Sequence, residues 1–324
     1  MGQTRTATLL LIMSMVLAAC GSAPPTATTT SVPAATETNA SAPTTAPTQT
    51  PGAAATMPRT VTAVASAAPL TARAAAAPVG IIAIGHSGLT GENSNPNNPG
   101  RDAPENSWAT GTAAAVNSVY QRLVAARPET AGHVANLARG GAPAADLGRQ
   151  ARAALAIVPT PELVLIQTID NDIRCDGSDP EHVPAFGDAV SNALRTIVET
   201  SPNSQILLVS QPGRPIVEVE AIIPAFPDLR SQNTGDEPCA FFNPDGSTNH
   251  EHIAGLTAII ESYEAEQQRV CATVPQCSTD DGAFARYVPV PGDRSSDGNH
   301  LSVEGHARLA EVIWPSVAER LGLQ

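Results

Sequence analysis

The stretch Val79-Gly-Ile-Ile-Ala-Ile-Gly-His-Ser87 is an apolar run that ends in a serine. A short, continuous apolar run bounded by glycine predicts a strand that is covered on both faces, here Val79–Gly85. Four later runs share this character: His133–Ala138, Leu163–Ile169, Ile206–Ser210 and Tyr287–Val290. The chain therefore supplies about five candidate strands for the interior of a sheet.

Segments with a helical spacing of apolar residues separate these runs. They are Trp108–Ala126, Ala144–Ile157, Ala185–Glu199, Ile253–Ala272 and Val303–Leu321. Strands that alternate with helices form βαβ units, which give a parallel sheet with helices on both faces. The pattern predicts an α/β fold of three layers around a parallel sheet of about five strands.

Several chemically active residues follow the predicted strands. Ser87, Gly141 and Asn171 each come soon after a strand, and Asp297 and His300 lie just before the last helix. Ligands of parallel α/β sheets bind beyond the carboxyl ends of the strands, so we expect these residues to meet there. A serine, an imidazole and a carboxylate together can perform nucleophilic acyl transfer, as nucleophile, base and orienting group.

These motifs resemble those of the SGNH hydrolases, also called the GDSL esterase/lipase family, over residues 79–324. That family carries Ser, Gly, Asn and His in this order on a flavodoxin-like α/β/α fold. The matching segments are Gly85-His86-Ser87, Asn136-Leu-Ala-Arg-Gly-Gly141-Ala, Ile169-Asp-Asn171-Asp172 and Asp297-Gly-Asn-His300. The resemblance implies a triad of Ser87, His300 and Asp297 that needs no cofactor and no metal. It also implies an oxyanion hole made of the Ser87 and Gly141 backbone N–H groups and the Asn171 amide.

Two residues depart from the family pattern. His86 stands where the family has aspartate, and Ile169 stands where it has glycine. We interpret His86 as a structural residue rather than a second base. Gly85-His86-Ser87-Gly-Leu89 also partly resembles the nucleophile elbow of α/β-hydrolases, but Leu89 breaks that motif.

The N-terminal part of the chain predicts export. Residues 1–20 contain an apolar run too short to span a membrane, as in a secretory signal. Leu17-Ala-Ala-Cys20 resembles a bacterial lipobox, in which the cysteine is lipidated. Residues 21–78 are almost entirely Ala, Thr, Pro and Ser, a composition typical of a disordered linker. We expect a hydrolase domain at 79–324, anchored by lipid to the outer face of the bacterial cell membrane.

The remaining cysteines are Cys175, Cys239, Cys271 and Cys277. An even number in an exported protein indicates two disulfides, for which three pairings are possible. Proximity favours Cys271–Cys277 and leaves Cys175–Cys239. A zinc site is the competing interpretation, but the chain has no Cys-x-x-Cys spacing.

Charge narrows the range of partners. The formal net charge of −13 disfavours nucleic acid as a ligand.

The predicted function is an extracytoplasmic serine esterase acting on small-molecule, lipid or carbohydrate esters. The alternatives are a lipase or lysophospholipase, and a surface-binding lipoprotein of the same fold with weak catalysis. Asn249-His-Glu-His252 could bind a metal, but a polar helix start is the more frequent explanation of such a segment.

Overall fold

The computed structural model describes residues 77–323. The predicted signal peptide, Cys20 and almost all of the predicted linker lie outside the described residues. Five parallel strands form one sheet in the order β2-β1-β3-β4-β5. The strands are β1 (Ile81–Gly85), β2 (Val134–Asn136), β3 (Leu163–Gln167), β4 (Gln205–Val209) and β5 (Cys277–Thr279). This is the flavodoxin-like order, and it confirms the predicted α/β class.

The helices cover both faces of the sheet. They are α1 (Val119–Ala126), α2 (Leu147–Ile157), α3 (Asp179–Thr200), α4 (Pro215–Val217), α5 (Pro227–Gln232), α6 (His250–Cys271) and α7 (Val303–Leu321). Alternate residues of a strand face opposite sides, so Ile82 and Ile84 pack with α2, α3 and α6, whereas Ile81 and Ala83 pack with α1 and α7. Within residues 77–323, no helix combines the length and the apolarity needed to cross a membrane.

The first predicted helix, Trp108–Ala126, is wrong in its N-terminal half. The helix begins only at Val119, after a capping box in which Ser118 and Gln121 satisfy each other's backbone N–H groups. Trp108 instead lies fully buried in the irregular segment before it, and its Nε1 donates to the Gly88 carbonyl at 2.9 Å. It therefore anchors the loop that follows the nucleophile candidate.

The predicted fifth strand, Tyr287–Val290, is also wrong. The strand beside β4 is β5, a short edge strand of partly exposed residues. Val288 is 61% exposed, and Pro289 cannot donate to a strand ladder, so the predicted run does not pair. An edge strand need not be apolar, which is why Cys277–Thr279 gave no signal in the sequence.

An irregular lobe, residues 211–249, follows β4 and has a small core of its own around Ile222, Leu229 and Phe242. A disulfide joins Cys175, in the loop after β3, to Cys239 in this lobe. A second disulfide, between Cys271 and Cys277, joins the end of α6 to β5. The structure thus has the pairing that proximity favoured.

Asp172 fastens the loop after β3 to the segment before α2. The Ala144 N–H lies 3.0 Å from both of its carboxylate oxygens, and Thr168 Oγ1 donates to one of them at 3.1 Å. Burial raises the pKa of Asp172 to about 6, although these hydrogen bonds act in the opposite direction. The folded protein therefore holds a proton on this group at a pH where the unfolded chain has released it.

We expect the two disulfides to differ in their effect on stability. Removing Cys175–Cys239, which closes a 64-residue separation, should lower the free energy of unfolding by about 2 kcal/mol more than removing Cys271–Cys277, which closes a separation of 6. The disulfide that closes the longer loop removes more conformational entropy from the unfolded chain. Urea unfolding of the two double Cys→Ala variants measures the difference, and equal losses would contradict this account.

We expect Asp172 to make the free energy of unfolding depend on pH between about 4 and 6. A folded-state pKa of about 6 lies above the ordinary value, so the contribution is present at low pH and is lost as pH rises. Relative to Asp172→Asn, the wild type should lose stability by at most roughly 1.4 kcal/mol per pH unit in this range. Urea unfolding at several pH values measures this loss.

The control for that experiment is Asp236→Asn, which alters an exposed acid. If the free energy of unfolding of the wild type runs parallel to that of Asp172→Asn across pH 4 to 6, Asp172 does not hold the proton.

Candidate active site

Ser87 owes its position to the close packing of β1 against β3. Gly85 has a φ of +142°, and a Cβ there would overlap the carbonyl oxygen of Gln167, so only glycine fits. The Gln150 side chain from α2 accepts from the Gly85 N–H at 2.7 Å and donates to the Gly85 carbonyl at 2.9 Å. The end of β1 is held on both sides, and Ser87 follows two residues later.

His86 caps the short turn that begins at Ser87. Its Nδ1 accepts from the Gly88 N–H at 3.1 Å, which places the ring proton on Nε2, and within residues 77–323 the buried Nε2 has no hydrogen-bond partner. Burial lowers the pKa of His86 despite the nearby charge of Asp170, so the ring is neutral near pH 7. This geometry supports a structural role for the residue that replaces the family's aspartate.

Asp297 and His300 form a hydrogen-bonded pair in the loop before α7. Asp297 Oδ2 accepts from His300 Nδ1 at 2.8 Å, and Asp297 Oδ1 accepts from the backbone N–H groups of Asn299 and His300 and from Ser295 Oγ. Burial acts to raise the pKa of Asp297, but the hydrogen bonds and the charge of His300 outweigh it and lower the pKa. The carboxylate stays ionised and orients the imidazole, with Nε2 turned away from it.

The lobe supports this loop directly. Gly298 has a φ of +69°, and a Cβ there would lie 2.7 Å from Leu229 Cδ1 and 2.9 Å from Phe226. Arg294, at the start of the loop, forms an ion pair with Glu218 of the lobe. The segment that carries Asp297 and His300 is therefore held between the lobe and α7.

Ser87 and His300 line one cleft at the carboxyl edge of the sheet, with an empty volume of about 480 Å³ that includes open solvent. The other lining residues are His86, Gly88, Glu92, Gln167, Asp170, Gln211, Pro212, Arg294, Asn299, Leu301 and His306. The buried His306 accepts from the Trp108 N–H, and burial lowers its pKa to about 3. Among the described residues, no hydrogen bond joins Ser87 Oγ to His300 Nε2. The nearest acidic group to that nitrogen is Glu92, whose Oε2 lies 3.4 Å away.

Gly141 and Asn171, the other predicted site residues, are not among those that line this cleft. They lie in the loops after β2 and β3, the two strands on either side of β1. Gly141 has a φ of +71°, and Asn171 Nδ2 lies 3.4 Å from the Ala142 carbonyl oxygen. The two candidate oxyanion donors are thus close to each other, on loops that flank the loop of Ser87.

Ile169 keeps a glycine-like backbone although it is isoleucine. Its φ is +97°, a conformation that costs a β-branched residue about 1–3 kcal/mol. Its side chain is fully buried in the core beneath α2 and α3, and burial of an isoleucine contributes about 1.5–3 kcal/mol. The two effects are of similar size, so the substitution for glycine is tolerated here.

Sequence reasoning missed several polar residues of the cleft, among them Asp170, Gln211 and Glu92. Asp170 lay inside a quoted motif but had no role assigned to it, and Gln211 begins the lobe. Glu92 stands just before the polar loop 93–105, and no sequence pattern distinguishes it from other loop acids. Only the packing of these loops on one another reveals that the three side chains share the cleft.

Comparison with known proteins identifies the family to which this chain is similar. The model for GDSL-like lipase/acylhydrolase proteins matches residues 81–313. Sequence comparison with curated proteins finds no match.

Solved structures similar to this chain include the extracellular lipase of Streptomyces rimosus, at 15% identity and a TM-score of 0.46, which covers 74% of this chain and 99% of that one. TesA is similar at 14% identity and a TM-score of 0.45, with the same coverage. The lipase Lip_vut3 from a goat rumen metagenome is similar at 14% identity and a TM-score of 0.48, covering 75% of this chain and 99% of that one.

The family model spans more than half of the chain and includes β1 and most of α7. Because that match covers both the strand before Ser87 and the loop of Asp297 and His300, the chain belongs to the GDSL-like lipase/acylhydrolase family and is an ester-hydrolysing enzyme.

Proposed function

We propose that this enzyme is a serine esterase that works through an acyl-enzyme, with Ser87 as nucleophile, His300 as base and Asp297 as the group that orients the base. The observation that carries the proposal is the 2.8 Å hydrogen bond from His300 Nδ1 to Asp297 Oδ2, in a cleft that Ser87 shares. This bond fixes the tautomer in which Nε2 can accept a proton.

The reaction follows from these roles. Nε2 of His300 takes the hydroxyl proton of Ser87 as the oxygen attacks the ester carbonyl, and Asp297 stabilises the resulting imidazolium. The backbone N–H groups of Ser87 and Gly141 and the amide of Asn171 would hold the oxyanion. Collapse breaks the bond to the alcohol, which leaves with the proton from His300. His300 then takes a proton from a water molecule as that water attacks the acyl-enzyme. The bond to Ser87 Oγ breaks, the proton returns to this oxygen, and the acid is released. The chemistry therefore uses no cofactor.

We assign as substrate a carboxylic ester with a small acyl group on a carbohydrate or lipid. The predicted location outside the cytoplasm motivates this choice. A surface-binding lipoprotein with weak catalysis is the contrasting alternative, motivated by His86 and Ile169.

A lipase or lysophospholipase is favoured by a second observation. A largely apolar pocket, with an empty volume of about 670 Å³ that includes open solvent, adjoins the cleft and shares Asp170, Gln211 and Pro212 with it. Its apolar lining includes Ile173, Ile223, Leu229, Phe241, Leu256 and Ile260. A longer acyl chain could be buried there.

We expect Ser87→Ala and His300→Ala each to lower turnover of short p-nitrophenyl esters by about 10⁴-fold or more, because each removes a member of the triad. The exposed Ser262→Ala and His133→Ala serve as matched controls and should keep wild-type rates. Substantial turnover by Ser87→Ala would exclude Ser87 as the nucleophile. Rates across acyl lengths separate an esterase from a lipase.

The same assay tests the oxyanion hole. Asn171→Ala should lower turnover by about 10²–10³-fold, less than loss of the nucleophile. Wild-type turnover by this variant would exclude Asn171 from the hole. If the wild type neither hydrolyses these esters nor reacts at Ser87 with an organofluorophosphonate, the binding alternative replaces the esterase.

We also propose that the enzyme is exported and anchored by a diacylglyceryl group on Cys20, since two acyl chains suffice for stable anchoring. Cys20→Ala should release the protein from membranes into the medium, whereas Ser22→Ala should leave it bound. Cell fractionation measures the distribution. Retention of Cys20→Ala in the membrane fraction would contradict the anchor.

A further inference from the structure

Glu92 lies in a turn whose backbone is fixed relative to the loop of Asp297. Its two neighbours, Gly91 and Asn93, have φ values of +69° and +60°. Asn93 Nδ2 donates to Ser295 Oγ at 3.2 Å, and Ser295 Oγ donates to Asp297 Oδ1 at 2.7 Å. The turn after the nucleophile and the loop of the base are thus joined by a chain of side-chain hydrogen bonds.

The carboxylate of Glu92 occupies the space in front of the base. Its Oε2 lies 3.4 Å from His300 Nε2, the atom that must accept the proton of Ser87. A Cβ placed on Gly140 would lie 2.9 Å from the same Oε2. The carboxylate therefore lies near both the base and the Gly140–Gly141 turn, which carries one of the proposed oxyanion donors.

The charged and titratable groups near the imidazole of His300 come from several elements. They are Asp297 and Arg294 in its own loop, Glu92 after β1, Asp170 after β3, His86 at the end of β1 and His306 in α7. The two other imidazoles are neutral near pH 7 because burial lowers the pKa of each. Burial also acts to lower the pKa of His300, but the hydrogen bond and charge of Asp297, with the charges of Glu92 and Asp170, outweigh it and raise the pKa.

We propose that Glu92 is a positioning residue that holds His300 as an imidazolium in the resting enzyme, paired at Nε2, and that an ester substrate must displace this carboxylate before proton transfer. The inference rests on the proposed roles of Ser87 and His300. When substrate separates the pair, the Nε2 proton passes to solvent. Nε2 is then unprotonated and accepts the hydroxyl proton of Ser87.

The two kinetic parameters should report different states of His300. The pH dependence of kcat/KM follows ionisation in the substrate-free enzyme, in which Glu92 stands at Nε2, whereas that of kcat follows the substrate complex, in which it does not. An opposite charge favours the protonated form of an imidazole. The acid limb of kcat/KM should therefore lie at higher pH than that of kcat.

The test is the pH profile of both parameters for the wild type, Glu92→Gln and Glu105→Gln. Glu105 is an exposed acid in the following loop, so its variant makes the same change of charge outside the cleft. In Glu92→Gln, the acid limb of kcat/KM should move to lower pH and approach that of kcat, which should stay in place. Glu105→Gln should keep the separation seen in the wild type. A uniform change of rate with unmoved limbs would overturn the proposal.

Proton NMR titration of His300 gives a readout that does not need turnover. The His300 resonance, assigned by its loss in His300→Ala, should titrate at lower pH in Glu92→Gln than in the wild type. The same titration in both proteins would overturn the pairing even if the esterase is active. A clear shift in a protein that hydrolyses no ester would uphold the pairing and reject the proposed function instead.

Discussion

Strand β1 hydrogen-bonds to β2 on one side and to β3 on the other, and all three run in the same direction. Their carboxyl ends therefore lie along one edge, and the loops that follow them are neighbours whatever their distance in sequence. Gly85 makes this pairing tight, because its missing side chain lets β1 approach the Gln167 carbonyl. Ser87, the proposed nucleophile, follows two residues later, so its position is closely fixed by this strand pairing.

The proposed base, His300, is supported in a different way. His300 comes from no strand, and its loop is fixed by polar contacts on the inside and apolar contacts on the outside. Inside, the Asp297 carboxylate satisfies two backbone N–H groups of its own loop as well as the imidazole. Outside, Gly298 lets Leu229 and Phe226 pack directly on the backbone. The lobe thus supports the candidate active site although none of its helices carries a member of the proposed triad.

The sequence allowed the fold class to be predicted because apolar runs of interior strands, such as Ile81–Gly85 and Leu163–Gln167, stand out from their surroundings. The edge strand Cys277–Thr279 escaped prediction because it is neither fully buried nor apolar. The segment from Trp108 to Asn117 has a helix-like spacing of apolar residues but is irregular. The helix begins only after the Ser118 cap, and the spacing of apolar residues does not reveal where a cap lies.

The residues of the candidate site also divide into those that the sequence predicts and those that it does not. Ser87, Asp297 and His300 were predictable because their positions relative to strands and helices place them at one edge. Glu92 was not, because an acid in a polar loop is usually solvated, and its contact with His300 depends on how two loops meet. Asp170 follows β3 at the same edge of the sheet, but the family motif assigns a role only to its neighbour Asn171, so Asp170 was not predicted as a site residue.

The disulfide between Cys175 and Cys239 has a consequence for the timing of maturation. Thiols remain reduced in a reducing cytosol, where the lobe would lack this covalent link and be held by ion pairs, hydrogen bonds and apolar contacts alone. Because the lobe packs on the loop of His300, a disulfide between two cysteines that are far apart in the chain should also stabilise the loop that carries the proposed base. A newly made chain would thus gain this added stability only in an oxidising compartment.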